Sequence, residues 1–131
     1  MILIDTNICI YMMKGISQVR EQSKNYRAAD MYISSISVAE LLFGAAKSIN
    51  PDSTRAKMYD YINRFNILDF SAKDALAYGN IRAYLTKRGE IIGPIDMLIA
   101  AQAIANDCKL ITNNVRKFQR VPNLVFENWM I

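Results

Sequence analysis

The chain has 131 residues, 52% of them hydrophobic and 21% charged, a balance that excludes a disordered chain and fits a single domain over residues 1–131 with one substantial core. No stretch approaches the roughly 18 apolar residues of a membrane span, and the short apolar start has no basic leader, so a soluble, cytoplasmic protein without a membrane partner is expected. Sixteen Lys+Arg against 12 Asp+Glu leave a net charge of +4, which favours an anionic partner, and the absence of histidine excludes the usual histidine acid–base route to metal-free cleavage of RNA or esters.

Ile2 to Ile4 reads as a buried strand that stops on Asp5. A short helix over Ile8 to Met13 follows, then a polar helix from Ser17 to about Ala29, and a second strand at Met31 to Ser34. Ser37 opens the next helix, with Glu40 three residues on in capping-box form. Asn50 and Pro51 start a helix that should run to about Phe65, Asn66 to Phe70 forms a third strand, and Ser71 with Asp74 repeats the capping-box pattern before a helix ending at Lys87, Arg88 and Gly89. Gly93 and Pro94 introduce "IDMLIAAQAIAN", apolar nearly all round and therefore central; "KLIT" and "LVFE" are strands four and five. Strands that are continuous apolar runs alternating with helices predict an α/β fold: a parallel sheet of about five strands covered by helices on both faces. Cys9 and Cys108 lack CxxC spacing and read as small buried hydrophobes.

Three acids interrupt apolar sequence: Asp5 after "ILI", Glu40 in "ISVAELLFGA" and Asp96 in "GPIDMLIAA". Each has a local explanation. Asp5 can cap the helix after it, Glu40 can complete its capping box, and Asp96 suits the first turn of a helix. Taken together they point elsewhere, because the carboxyl ends of parallel strands share one edge, and ligands bind there at the topological switch point. Asp5 ends strand one, while Glu40 and Asp96 begin helices near that edge; Thr112, Asn113 and Asn114 leave strand four beside them. Carboxylates so close repel one another unless a cation lies between them, and oxygen-only ligands select Mg²⁺ or Mn²⁺, which support phosphodiester cleavage without histidine. There is no GxGxxG, GxxxxGK[ST] or GxSxG pattern to support dinucleotide, P-loop or serine-nucleophile chemistry.

The segments "ILIDTN", "ISSISVAELLFGA", "YGNIRAYLTKRGEIIGPIDMLIAAQA" and "LITNNVRKF" closely resemble PIN-domain toxins of the VapC type, in family order over nearly the whole chain. The resemblance implies a PIN fold, a homodimer and a Mg²⁺- or Mn²⁺-dependent endoribonuclease, the toxin of a type II toxin–antitoxin pair, neutralised by a cognate VapB antitoxin. It implies transfer RNA or ribosomal RNA as the substrate, with a lean towards initiator tRNA, and inhibited translation as the outcome. It places the catalytic and metal-binding carboxylates on Asp5, Glu40 and Asp96, with Thr6, Asn7, Thr112, Asn113 and Asn114 orienting them. Arg82, Arg116 and Lys117 are candidates to hold RNA phosphates, as are Lys87, Arg88 and Arg120. Apolar surface around Tyr11 to Met13 and "ELLFGA" is a candidate antitoxin groove.

One position departs from the pattern. Family members carry a fourth acid at a position matching Asn114 or Lys117, and neither is acidic here. A second reading follows from that departure: a catalytically impaired PIN protein that acts by binding antitoxin or RNA.

Overall fold

The computed structural model describes residues 1–131 and contains five strands and seven helices. They are β1 (Ile2–Ile4), α1 (Thr6–Met13), α2 (Ser17–Ser23), β2 (Met31–Ser34), α3 (Ser35–Ala46), α4 (Pro51–Ile62), β3 (Asn66–Leu68), α5 (Ala72–Lys87), α6 (Pro94–Ala105), β4 (Lys109–Ile111), α7 (Val115–Phe118) and β5 (Phe126–Glu127). The strand order is β3-β2-β1-β4-β5 with every pairing parallel. The chain therefore winds outward from β1 to β3, returns to the other side of β1, and winds outward again, leaving its switch point between β1 and β4. No helix is long and apolar enough to cross a membrane.

Side chains alternate across the sheet, as the period of two requires. Leu3 and Leu110 pack on one face with Ile81, Leu85, Met97 and Phe118 from α5, α6 and α7. Ile2, Ile4 and Ile111 pack on the other with Ile8, Val19, Leu41, Ile62 and Trp129. Cys9 and Cys108 are buried and free, and they lie in these two separate clusters, on opposite faces of the sheet. Burial pushes the Cys9 thiol up to about 12, so it behaves as the apolar residue the sequence suggests.

Several boundaries differ from expectation, each for a local reason. α2 stops at Ser23, whose hydroxyl donates back to the Arg20 carbonyl (2.7 Å), and a 3₁₀ turn follows at Ala28–Asp30. β3 ends at Leu68, because the Phe70 amide donates to Ser35 Oγ (3.1 Å) instead of extending the ladder. α4 ends at Ile62, and Asn50 occupies its cap position without a side-chain bond. The Ser71 amide donates to Asp74 Oδ2 (2.8 Å), in keeping with the second capping box, and Gly89 at φ +66° terminates the chain's turn out of α5.

Candidate active site

β1 delivers Asp5 to the switch point. Its amide donates to the Ile111 carbonyl (2.9 Å), extending the β1–β4 pairing by one residue, and its φ/ψ of −65°/154° makes it the N-cap of α1. Capping and crevice placement coexist: Oδ1 accepts from the Thr6 amide (2.8 Å) while Oδ2 accepts from the Thr112 hydroxyl (2.9 Å) at the end of β4. Burial raises the Asp5 carboxyl from 3.8 to about 6; the Asp96 and Glu40 charges add to the rise, and the Thr112 and Thr6 hydrogen bonds oppose it. Both charges therefore lie near enough to bear on Asp5.

Glu40 arrives differently from expectation. The cap of α3 is Ser34, whose Oγ accepts from the Ile36 amide (3.0 Å), so Ser37 lies inside the first turn and forms no capping box with Glu40. Released from that role, Glu40 Oε1 lies 2.7 Å from Thr6 Oγ1, which is also 2.8 Å from Ser37 Oγ. A threonine hydroxyl has one proton, so the relay runs from the Ser37 hydroxyl to Thr6 and from Thr6 to Glu40. Ser37 is fully buried, a polar residue of the site that the sequence had assigned to a cap.

Asp96 occupies the third position of α6, where Pro94 starts the helix and Gly93 caps it. A Cβ at Gly93 would lie 3.3 Å from Asp96 Oδ2, so the glycine leaves room for this carboxylate to fold back over the helix start. Lys117, on α7, brings its Nζ to 3.6 Å from the same Oδ2. α7 is too short to show a helical period in sequence; it is anchored by fully buried Phe118 and by the Asn114 amide, which donates to Thr112 Oγ1 (3.0 Å).

The remaining candidates divide. Asn113 lies beside Thr112, with Nδ2 3.4 Å from the Tyr11 hydroxyl and Oδ1 buried without a partner. Asn7 is exposed and shares with Thr6 and Glu40 a groove of about 370 Å³ that continues past Phe43 and Met58. Arg82 is exposed on α5, bonded to the Tyr78 hydroxyl (2.7 Å), and Arg116 is exposed on α7. A cavity of similar size, about 380 Å³, lies at the opposite sheet edge beside Met1 and Lys109. Volume therefore does not single out the candidate site, which rests on the buried Asp5 carboxylate at the switch point.

No three His, Cys, Asp or Glu side chains close on a common metal position. Glu40 is drawn to Thr6, and Asp96 to Lys117. The donor chemistry nevertheless fits a hard divalent cation: every candidate ligand is an oxygen, and the Asp5 carboxyl is held above its ordinary range by burial.

A model described as the PIN domain matches residues 2–124. The chain is 41% identical over 132 residues to "Ribonuclease VapC2" of Rickettsia felis, covering 97% of this chain and 96% of that one. It is 36% identical over 127 residues to "tRNA(fMet)-specific endonuclease VapC" of Salmonella typhimurium, covering 97% and 96%. Among solved structures it is similar to DNA-bound VapBC from Salmonella typhimurium, with TM-score 0.91, 37% identity, and 98% and 99% of the two chains covered.

Proposed function

This chain belongs to the PIN-domain family, within its VapC ribonuclease branch, and from that membership we propose that it is the endoribonuclease toxin of a toxin–antitoxin pair, cutting RNA with Asp5, Glu40, Asp96 and Mg²⁺ or Mn²⁺. Metal dependence is general in the family. One observation carries the assignment to this edge of the sheet: Asp5 is 5% exposed at the switch point, and its carboxyl is raised to about 6 by burial with two further carboxylates adding to the rise. A carboxylate left in that position costs stability unless a cation shares it.

Asp5 and Asp96 would hold the cation, which when bound would supply Lewis-acid polarisation of a phosphate. The Thr6 amide and Thr112 hydroxyl fix both Asp5 oxygens. Thr6, itself held by Ser37, orients Glu40, whose free oxygen accepts from and aligns the attacking water. Asn113 and Asn114 shape the β4 side of the crevice. Arg82 and Arg116 remain candidates for RNA phosphates. Transfer RNA is the proposed substrate, from the Salmonella relative's name. A cognate VapB antitoxin is the proposed partner, since the similar structures are VapBC assemblies, and a homodimer is the proposed form.

The impaired-protein reading gains no support: relatives over nearly the full length bear ribonuclease names, and Asp5, Glu40 and Asp96 are all present. The test is RNA cleavage by the purified chain with Mg²⁺, with Mn²⁺, with EDTA, and with the cognate antitoxin. Cleavage that needs the metal and stops with antitoxin is the expected result; cleavage undiminished by EDTA contradicts it.

A further inference from the structure

The departure at position 117 has a defined geometry. Lys117 Nζ stands 3.6 Å from Asp96 Oδ2, with the lysine side chain 48% and the aspartate 25% exposed. Lys24–Glu21, Arg55–Asp52 and Arg64–Asp60 are local pairs along single helices, which contribute little to stability. Lys117–Asp96 instead joins α7 to α6. The connection behind it is continuous: Thr112 holds Asp5, the Asn114 amide holds Thr112 Oγ1, and buried Phe118 pins α7 beside α6. The segment that fixes one carboxylate of the site thus delivers an ammonium group to another.

Resting on the metal-site reading above, we propose that the Lys117 ammonium stands in for a second cation, neutralising Asp96 so that the site takes a single divalent ion. Charge balance supports the assignment. Ionised Asp5, Glu40 and Asp96 with Lys117 sum to −2, which one divalent ion offsets; a glutamate at position 117 would bring the sum to −4, the charge of a two-ion site. Lys117 is in this sense a positioning residue, acting through Asp96 on metal number and affinity. Its ammonium also competes with the incoming ion for Asp96 Oδ2, so metal affinity is held below what the carboxylates alone would give.

Mn²⁺ titration of the full chain, followed by calorimetry and by the resonance of free Mn²⁺, tests this on wild type, Lys117→Gln, Lys117→Glu, Lys117→Arg and Asp5→Asn. Wild type and Lys117→Arg should each bind one ion. Lys117→Gln should bind one with a Kd about three- to tenfold lower, and Lys117→Glu should bind two. Two ions in wild type, or unchanged number and affinity in both Lys117→Gln and Lys117→Glu, overturn the proposal. Asp5→Asn separates the two levels of argument. If it lowers Mn²⁺ binding while the Lys117 variants change nothing, the site stands and the role of Lys117 fails; if it leaves binding unchanged, both fail.

Discussion

Asp5 pays for its place at the switch point in stability, and the direction can be measured. Its carboxyl stands at about 6 in the folded chain against 3.8 as a free side chain, so the native state binds the extra proton and burial of the charge opposes folding at neutral pH. That cost is absent below about pH 3.8, grows between 3.8 and 6, and is complete above 6; two pKa units correspond to about 3 kcal/mol. Urea unfolding in EDTA should find Asp5→Asn more stable than wild type at pH 7.5, by about 1–3 kcal/mol, with the gain shrinking as pH falls to 4. A difference independent of pH would show that Asp5 is not buried as a charge. Gly93→Ala probes the neighbouring carboxylate: its methyl would sit 3.3 Å from Asp96 Oδ2. The variant should keep its fold and weaken Mn²⁺ binding several-fold, whereas unchanged binding would show that the Asp96 carboxylate does not depend on this close approach.

At the scale of elements, what was legible depended on whether a segment carried a period or a cap. β1, β2, α5 and α6 fall where apolar runs and caps place them. The segment "SSISVAE" offers several serines before one glutamate, and its capping-box pattern starts α3 three residues late; the structure uses Ser34 for the cap and turns Ser37 and Glu40 to Thr6. No local rule distinguishes these serines, and the partner that Ser37 takes instead is a threonine 31 residues away in sequence. α7, with only four residues, has no period to read, and its tertiary anchor decides where Lys117 points. The Asp74 cap was legible and supports a separate prediction. Its carboxylate is fully buried and accepts from the Ser71 amide and Asn106 Nδ2, so Asp74→Ala should cost about 2 kcal/mol in denaturant unfolding. Activity per folded molecule should be unchanged, because Asp74 touches none of the site residues; a drop in activity at full folding would revise that boundary.

Across the whole molecule, alternation of strands and helices was enough to expect a parallel sheet, and its switch point brings residues 5, 40 and 96 to one edge. Their contacts were not legible. Thr6 linking Ser37 to Glu40 forms within the first half of the winding and Lys117 meeting Asp96 within the second, while Thr112 reaching Asp5 joins the two halves. A cation that binds the folded state must raise its stability by mass action. Mg²⁺ or Mn²⁺ should therefore raise the Tm of wild type and leave that of Asp5→Asn nearly unchanged; equal shifts in both would move the metal away from this edge. The most direct test of the central claim is RNA cleavage by wild type, Asp5→Asn and Asp96→Asn, each checked for native circular dichroism and assayed with saturating Mg²⁺. Metal-dependent fragments from wild type and none from the two folded variants is the predicted result; wild-type rates of cleavage from either variant would contradict it.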